Sequence, residues 1–286
     1  MIMKKTRLIL PALAVLTCNA FAQLSAVDYK NDDFAQFKSN KTYVVKTGDA
    51  NFDSEMASVM TGEWKITSFD FVDKKDFGTK IKDKTASFIL PITIETGTPN
   101  QNYHYLALIN GGKKNLDKYT YDDMLAYAVI NHWGSEPNNI DCSYRVRNMV
   151  ESMIDAMTIV QKNDIKGNSK NIAMDLLAYY RTKSTKVKDR TLLIPDYMIS
   201  KKLDKAKFAG MYPFKYEICT KEKIAEAIKN KSSDYYYFQP TVTLNKSMWV
   251  IDPSNGEVIY GNVKVMGLYV KDDDIEELVN AIKGKK

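Results

Sequence analysis

The chain carries one pattern of residues twice. Phe71–Phe88 (FVDKKDFGTKIKDKTASF) lies without a gap over Ile218–Tyr235 (ICTKEKIAEAIKNKSSDY), 147 residues downstream, and so matches Lys74 with Lys221, Ile81 with Ile228, Lys82 with Lys229 and Lys84 with Lys231. A two-residue shift extends the match to Pro91-Ile-Thr-Ile against Pro240-Thr-Val-Thr, and upstream Thr42-Tyr-Val-Val falls against Thr191-Leu-Leu-Ile. A duplication of this kind confines the fold to two copies of one unit and leaves activity open.

Local signals give each copy the same order of elements. In the first, the β-branched and aromatic run Thr42–Lys46 predicts a strand, and Phe52, Met56, Val59 and Met60 share one face of a helix. Lys65–Val72 reads as a second strand. Asp73 stands where its carboxylate could cap a helix over Lys74–Ile81, and Ser87–Glu95 with Tyr103–Asn110 forms a hairpin closed by Gly97–Asn102. The second copy repeats this with strand Thr191–Ile194, helix Ile199–Phe208, strand Phe214–Cys219 and a helix capped by Thr220. Strands Tyr235–Leu244 and Met248–Asp252 follow. The turn Pro253–Gly256 leads into strand Glu257–Tyr260, and helix Asp274–Lys283 closes the copy. Thr120–Arg181 between the copies reads as helical: Thr120 and Asp123 suggest a capping box for a helix over Tyr121–Asn131, and Tyr144–Gln161 carries a Met-rich apolar stripe. A third helix spans Asn171–Arg181.

Met1–Ala22 has the marks of an export signal: Lys4, Lys5 and Arg7, an apolar stretch from Leu8 to Leu16, and the cleavage pattern Ala20-Phe-Ala22. The expected division is therefore a signal peptide at 1–22, a first α/β repeat at 23–117, a helical insertion at 118–188 and a second α/β repeat at 189–286. No later segment approaches the ~20 apolar residues of a membrane-spanning helix. Processing would lower the net charge from +6 to +3, too weak and too dispersed to suggest nucleic acid as a partner. Of three cysteines, Cys142 and Cys219 remain after cleavage, and an oxidising compartment would allow a disulfide between them.

The order β-α-β-α-β-β-α, together with Gln239-Pro-Thr-Val, Trp249–Tyr260 (WVIDPSNGEVIY) and the closing helix, resembles the C-terminal half of periplasmic thioredoxin-like proteins. The resemblance implies an α/β fold of two thioredoxin-like repeats. It fails where the family's chemistry lies: Thr47-Gly-Asp-Ala and Pro195-Asp-Tyr-Met stand where a C-x-x-C centre would begin the first helix. Thiol–disulfide exchange needs an attacking and a resolving sulfur. The alternative fold is the βαβαβ module of periplasmic assembly proteins similar to the N-terminal domain of TolB, distinguished by strand order.

Other chemistry finds little to build on. Asn110-Gly-Gly-Lys lacks the spacing of a phosphate loop and reads as a tight exit turn. His132, Asp141 and Cys142 match no metal-ligand spacing, and two histidines with no G-x-S-x-G leave no base for a nucleophile. No catalytic residue, metal site or cofactor is implied. Tyr103, Tyr105, Tyr235, Tyr236 and Tyr237 fall on hairpin strands, where consecutive side chains face both sides of the sheet, so one side could present rigid aromatic surface. The functional expectation is an exported, non-catalytic binding or scaffold protein of the cell envelope, periplasmic or extracellular, whose partner is an envelope protein or a glycan. The alternative is a divergent thioredoxin-like thiol oxidoreductase.

Overall fold

Two mixed five-stranded sheets organise the chain, and each repeats the order of the other. The computed structural model describes residues 31–94, 103–120, 123–130, 142–163, 165, 169–199, 203–242, 245–265 and 270–285. The first copy runs α1 (Asn31–Ser39), β1 (Lys41–Val45), α2 (Ala50–Glu63), β2 (Phe69–Val72), α3 (Lys74–Lys80), β3 (Ala86–Ile94), β4 (Tyr103–Asn110), β5 (Met124–Val129) and α4 (Val146–Lys162). The second runs α5 (Ser169–Lys183), β6 (Thr191–Pro195), α6 (Lys205–Met211), β7 (Tyr216–Cys219), α7 (Lys221–Lys229), β8 (Tyr235–Val242), β9 (Asn245–Ile251), β10 (Val258–Val265) and α8 (Asp272–Ile282). Sheet order is β2-β1-β3-β4-β5 in one and β7-β6-β8-β9-β10 in the other. In each, the first three strands are parallel and the last two antiparallel.

The register carries the duplication further than the residue types do. Pro91 pairs with Leu106 in one copy and Pro240 with Met248 in the other. Each proline lies beyond the last pair made with the parallel neighbour, Val44–Ile89 and Leu193–Tyr237. A residue without an N–H loses no ladder bond there. Between the pairs Leu108–Ala126 and Ile109–Met124, Leu125 is the extra residue of a β-bulge; between Val250–Tyr260 and Ile251–Val258 the extra residue is Ile259, at the matching place. A bulge bends and re-aims its strand, so two at one position mark one inherited architecture. The same register pairs Thr42 with Ser87 and Leu192 with Tyr236, which matches Thr42 with Leu192, one residue along from the alignment of the sequences alone.

The structure redraws the middle of the chain. Met124–Val129, expected as part of a helix over Tyr121–Asn131, is a strand on the open edge of β4, so the first sheet continues past the expected boundary at 117. Residues 124–128 are all buried, so the segment lacks the polar alternation of a half-exposed strand. The capping-box contact does form, with Asp123 Oδ2 accepting from the Thr120 amide at 2.8 Å and from its hydroxyl at 3.1 Å, but a strand follows it. What looked like an inserted helical block holds the last helix of one copy and the first of the next: α4 packs on β5 and α2, while α5 packs on β10.

Other local expectations divide by residue. The predicted helix over Lys74–Ile81 is α3, yet Asp73 makes no side-chain cap; its carboxylate pairs with Lys46 at 3.1 Å. Thr220 likewise makes no side-chain cap on α7. The helix expected at Ile199–Phe208 forms later, at Lys205–Met211, where Asp204 accepts from the Lys207 amide at 2.8 Å. Gly111 and Gly112 form the expected exit turn, their amides donating to Ala86 and Ile81 at 2.8 Å each. The predicted signal segment and the hairpin loop Gly97–Asn102 lie outside the described residues.

One face of sheet two has its own core: Leu192, Ile194, Tyr236, Phe238, Met248, Val250 and Tyr260 pack beneath α6 and α8. The opposite face, with Leu193, Tyr237, Trp249, Ile251 and Val258, joins the core of copy one. The two copies therefore share one of the two apolar cores, and Gly256 in the β9–β10 turn packs closely on α4. Its φ is +68°, and a Cβ there would lie 2.5 Å from Glu151 Cβ and 2.9 Å from the Asn148 carbonyl on α4. Gly256→Ala should lower stability by about 2 to 4 kcal/mol, combining left-handed strain with overpacking. Denaturant titration checks this; an unchanged midpoint would mean the turn does not clamp α4.

Candidate functional site

Charged groups concentrate at the junction that α4 makes between the copies. The helix carries the predicted Met stripe toward its own sheet, with Met149, Val150, Met153, Met157 and Val160 buried. Its polar side is buried too. Ser152 Oγ donates to the Gly256 carbonyl at 2.6 Å, and Asn148 Nδ2 donates to Glu151 Oε2 at 2.7 Å and to the Pro253 carbonyl at 3.4 Å. The turn expected at Pro253–Gly256 is thus the second copy's docking point on the first.

Beside this contact lies an open cleft of about 350 Å³ whose walls include Glu63, Glu151, Asp155, Lys231 and Glu257. Ion pairs cross it. Lys231 reaches Glu63 at 2.7 Å and Arg147 reaches Glu63 at 3.2 Å; Lys183 reaches Glu257 at 2.9 Å and Asp155 at 3.9 Å. Glu63 belongs to α2 and Lys231 follows α7, so this chain of charges ties copy one to copy two. Burial pushes the Glu151 carboxyl up to about 7, against the pull of Asn148 and Arg147, and pushes Asp155 up to about 6 against the pull of Lys183. Two carboxyls one helical turn apart thus exchange protons near neutral pH. Each already has a cationic neighbour, which makes the cleft a titrating joint.

A second, smaller chamber of about 40 Å³ lies on the other side of α4 between the sheets. Arg145, Asn148, Tyr237, Thr241 and Trp249 are among its lining residues. A further recess, about 640 Å³, lies between α5 and α8 above Tyr260. Glu277 on its wall is already tied, accepting from Asn262 at 2.6 Å and pairing with Lys264 at 2.9 Å.

The tyrosines singled out from the sequence do not form an open aromatic face. Tyr105 is fully buried against Tyr127, with ring centroids 5.1 Å apart. Tyr236 and Tyr237 point to opposite faces, as alternation requires, and both are covered: Tyr236 joins the core under α6 and α8, and Tyr237 joins the shared core. Tyr235 is half-buried beneath Lys223, and the side chain of Tyr103 lies outside the described residues. The disulfide considered between Cys142 and Cys219 is not formed, and both cysteines are buried. Burial pushes the Cys219 thiol up to about 11. Trp64 and Trp249 are core anchors whose indole N–H groups donate to Thr67 and Ser247.

Among the described residues, no group of three His, Cys, Asp or Glu side chains could hold a metal ion, and no helix is long and apolar enough to cross a membrane. His132 and Asp141 lie outside those residues. Comparison with known proteins gives no match among family models, curated proteins or solved structures.

The raised carboxyls set the pH response. Glu151 has a folded pKa of about 7 against an ordinary value of 4.5, so the folded chain holds its proton more tightly than the unfolded chain does. That proton favours folding below the ordinary value, and the benefit is lost as pH rises through about 7. Asp155 acts in the same direction up to about 6. His104, whose pKa burial lowers, acts in the opposite direction, so the difference between variant and parent is the informative quantity. Glu151→Gln should remove roughly 1 to 3 kcal/mol of the stability lost between about pH 5 and pH 8. Denaturation midpoints across that range read it out, and an identical pH dependence in variant and parent would contradict the assignment.

Proposed function

We propose that this chain is an exported, non-catalytic binding or scaffold protein of the cell envelope, periplasmic or extracellular, built from two α/β repeats of one topology that have no redox centre. In each copy the first strand lies between the second and third, an order the thioredoxin-like reading shares, but the third strand runs parallel to the first, where a thioredoxin-like sheet has it antiparallel, so this βαβαβ start favours the alternative module. The closing helix is shared with the thioredoxin-like pattern, whereas Pro91 and Pro240 lie within the third strand of their copies and do not precede it.

The observation that carries the non-catalytic reading is the connection after the first strand of each copy. In this position the resemblance leads one to expect C-x-x-C. The first copy instead uses it for a closed hydrogen-bonded turn, with Asp53 accepting from the Thr47 amide and hydroxyl at 2.8 Å each and from the Gly48 amide at 3.0 Å. The second copy places Pro195, Asp196, Tyr197 and Met198 there. Neither remaining cysteine substitutes for the missing pair, since exchange needs an accessible thiolate and both thiols are buried. An α/β fold kept twice without its reactive sulfurs retains surface and shape, which suits capture of an envelope protein or a glycan.

Two measurements test this reading. Residues 23–286, supplied with a dithiol reductant, should reduce a disulfide substrate no faster than the reductant alone; a faster rate that disappears in Cys219→Ser would establish the oxidoreductase reading instead. Fractionation of the native cells should recover the chain from the envelope or the medium with Gln23 at its N-terminus. Recovery from the cytoplasm with Met1–Ala22 intact would overturn the export assignment.

A further inference from the structure

Arg145 is a buried cation with no buried carboxylate beside it among the described residues. Its residue is 3 % exposed, at the start of α4, and its guanidinium makes one hydrogen bond, from Nη2 to the Ile130 carbonyl at 2.9 Å. Its Nε has no partner, and its Cζ lies 5.6 Å from the centroid of the Tyr144 ring. No carboxylate among the described residues lies within ion-pair reach of it. The ionisable groups that act on it are Tyr144, Tyr197, Tyr237 and Cys142, and burial holds Tyr197 and Tyr237 in their neutral forms. Charges taken out of water are ordinarily paired, because desolvating a lone guanidinium costs several kcal/mol.

The same side chain lines the 40 Å³ chamber between the sheets, and other features of the chamber agree in sign. Thr241, fully buried on β8, turns into it a hydroxyl that has no hydrogen-bond partner. Asn148, Met149 and Ser152 bring the first turns of the 17-residue α4 to its wall, and the N-terminal end of a helix is electropositive. The chamber also holds one unpartnered acceptor, Asn148 Oδ1, which a water could serve. The volume admits a small ion together with a water or two.

We infer that the chamber binds one small monovalent anion of halide type, held by Arg145 Nε and the Thr241 hydroxyl, the two buried donors without partners that line it. The anion joins the copies: Arg145 is at the start of α4 from the first, and Thr241 is on β8 of the second. Binding at such a site stabilises the folded chain in proportion to occupancy and makes its melting temperature depend on the anion supplied.

Bromide is the probe. In crystals of the mature chain grown with sodium bromide, an anomalous peak should lie within hydrogen-bond distance of Arg145 Nε and Thr241 Oγ. At fixed ionic strength, melting temperature should rise saturably as gluconate is replaced by bromide. Thr241→Val, which keeps shape and charge but removes the donor, should weaken the bromide response about fivefold. Arg145→Gln should abolish it, and if that variant does not fold, the valine variant and the anomalous peak still decide. Water alone in the chamber, or equal melting temperatures in bromide and gluconate, would overturn the proposal.

Discussion

The structure depends on a helix that has two sides to bury. The Met stripe of α4 needs an apolar partner, and its own sheet provides one through β5. The opposite side carries Asn148, Glu151 and Ser152, which are also buried; Asn148 and Glu151 bond each other, and the β9–β10 turn of the other copy accepts from Asn148 and Ser152. Polar groups withdrawn from water must find partners inside, so the turn and the helix position each other. Sheet two then has no free face: Leu193, Tyr237, Trp249, Ile251 and Val258 complete an interior that begins in copy one. The titrating cleft and the Arg145 chamber lie beside this one contact.

Duplication explains why such a junction exists at all. Each copy has the same order of nine elements among the described residues, the same position for its strand proline and the same bulge. Two units of this kind could have stayed separate, each with its own helix-covered sheet. Here one copy's closing helix does two jobs. α8, its counterpart, does one: it packs on α6 and the turn before β6, and a buried Lys246–Asp274 pair fastens it to β9. The asymmetry lies in what faces outward from the two helices, since α8 exposes Glu276 and Asn280 to solvent where α4 meets the second sheet.

The sequence shows the repeat, the turn at Pro253–Gly256 and the Met stripe because local chemistry governs each of them. It hides Met124–Val129, where burial on both faces removes the alternation by which a strand is recognised. It also misplaces α4 and α5, which read as an insertion because closing and opening helices have diverged between the copies while the strands have not. The tyrosines mislead for a related reason. Alternation correctly sends Tyr236 and Tyr237 to opposite faces, but only the packing of the copies reveals that both faces are covered. Glu151 and Arg145 have no sequence signature, because a charged residue on an amphipathic helix ordinarily faces water. Their burial follows from contacts more than 100 residues apart in the chain, such as Ser152 to Gly256.

Native-state hydrogen exchange tests the central claim, that the two copies form one cooperative unit through α4. Amides of Ile89 and Leu108 report on the first sheet, and those of Leu193 and Val250 on the second. The account predicts that all four share one opening free energy and converge on the same global unfolding as denaturant is raised. Exchange of one sheet through a separate, lower-energy opening while the other stays protected would show that the copies stand alone and that the shared core is incidental.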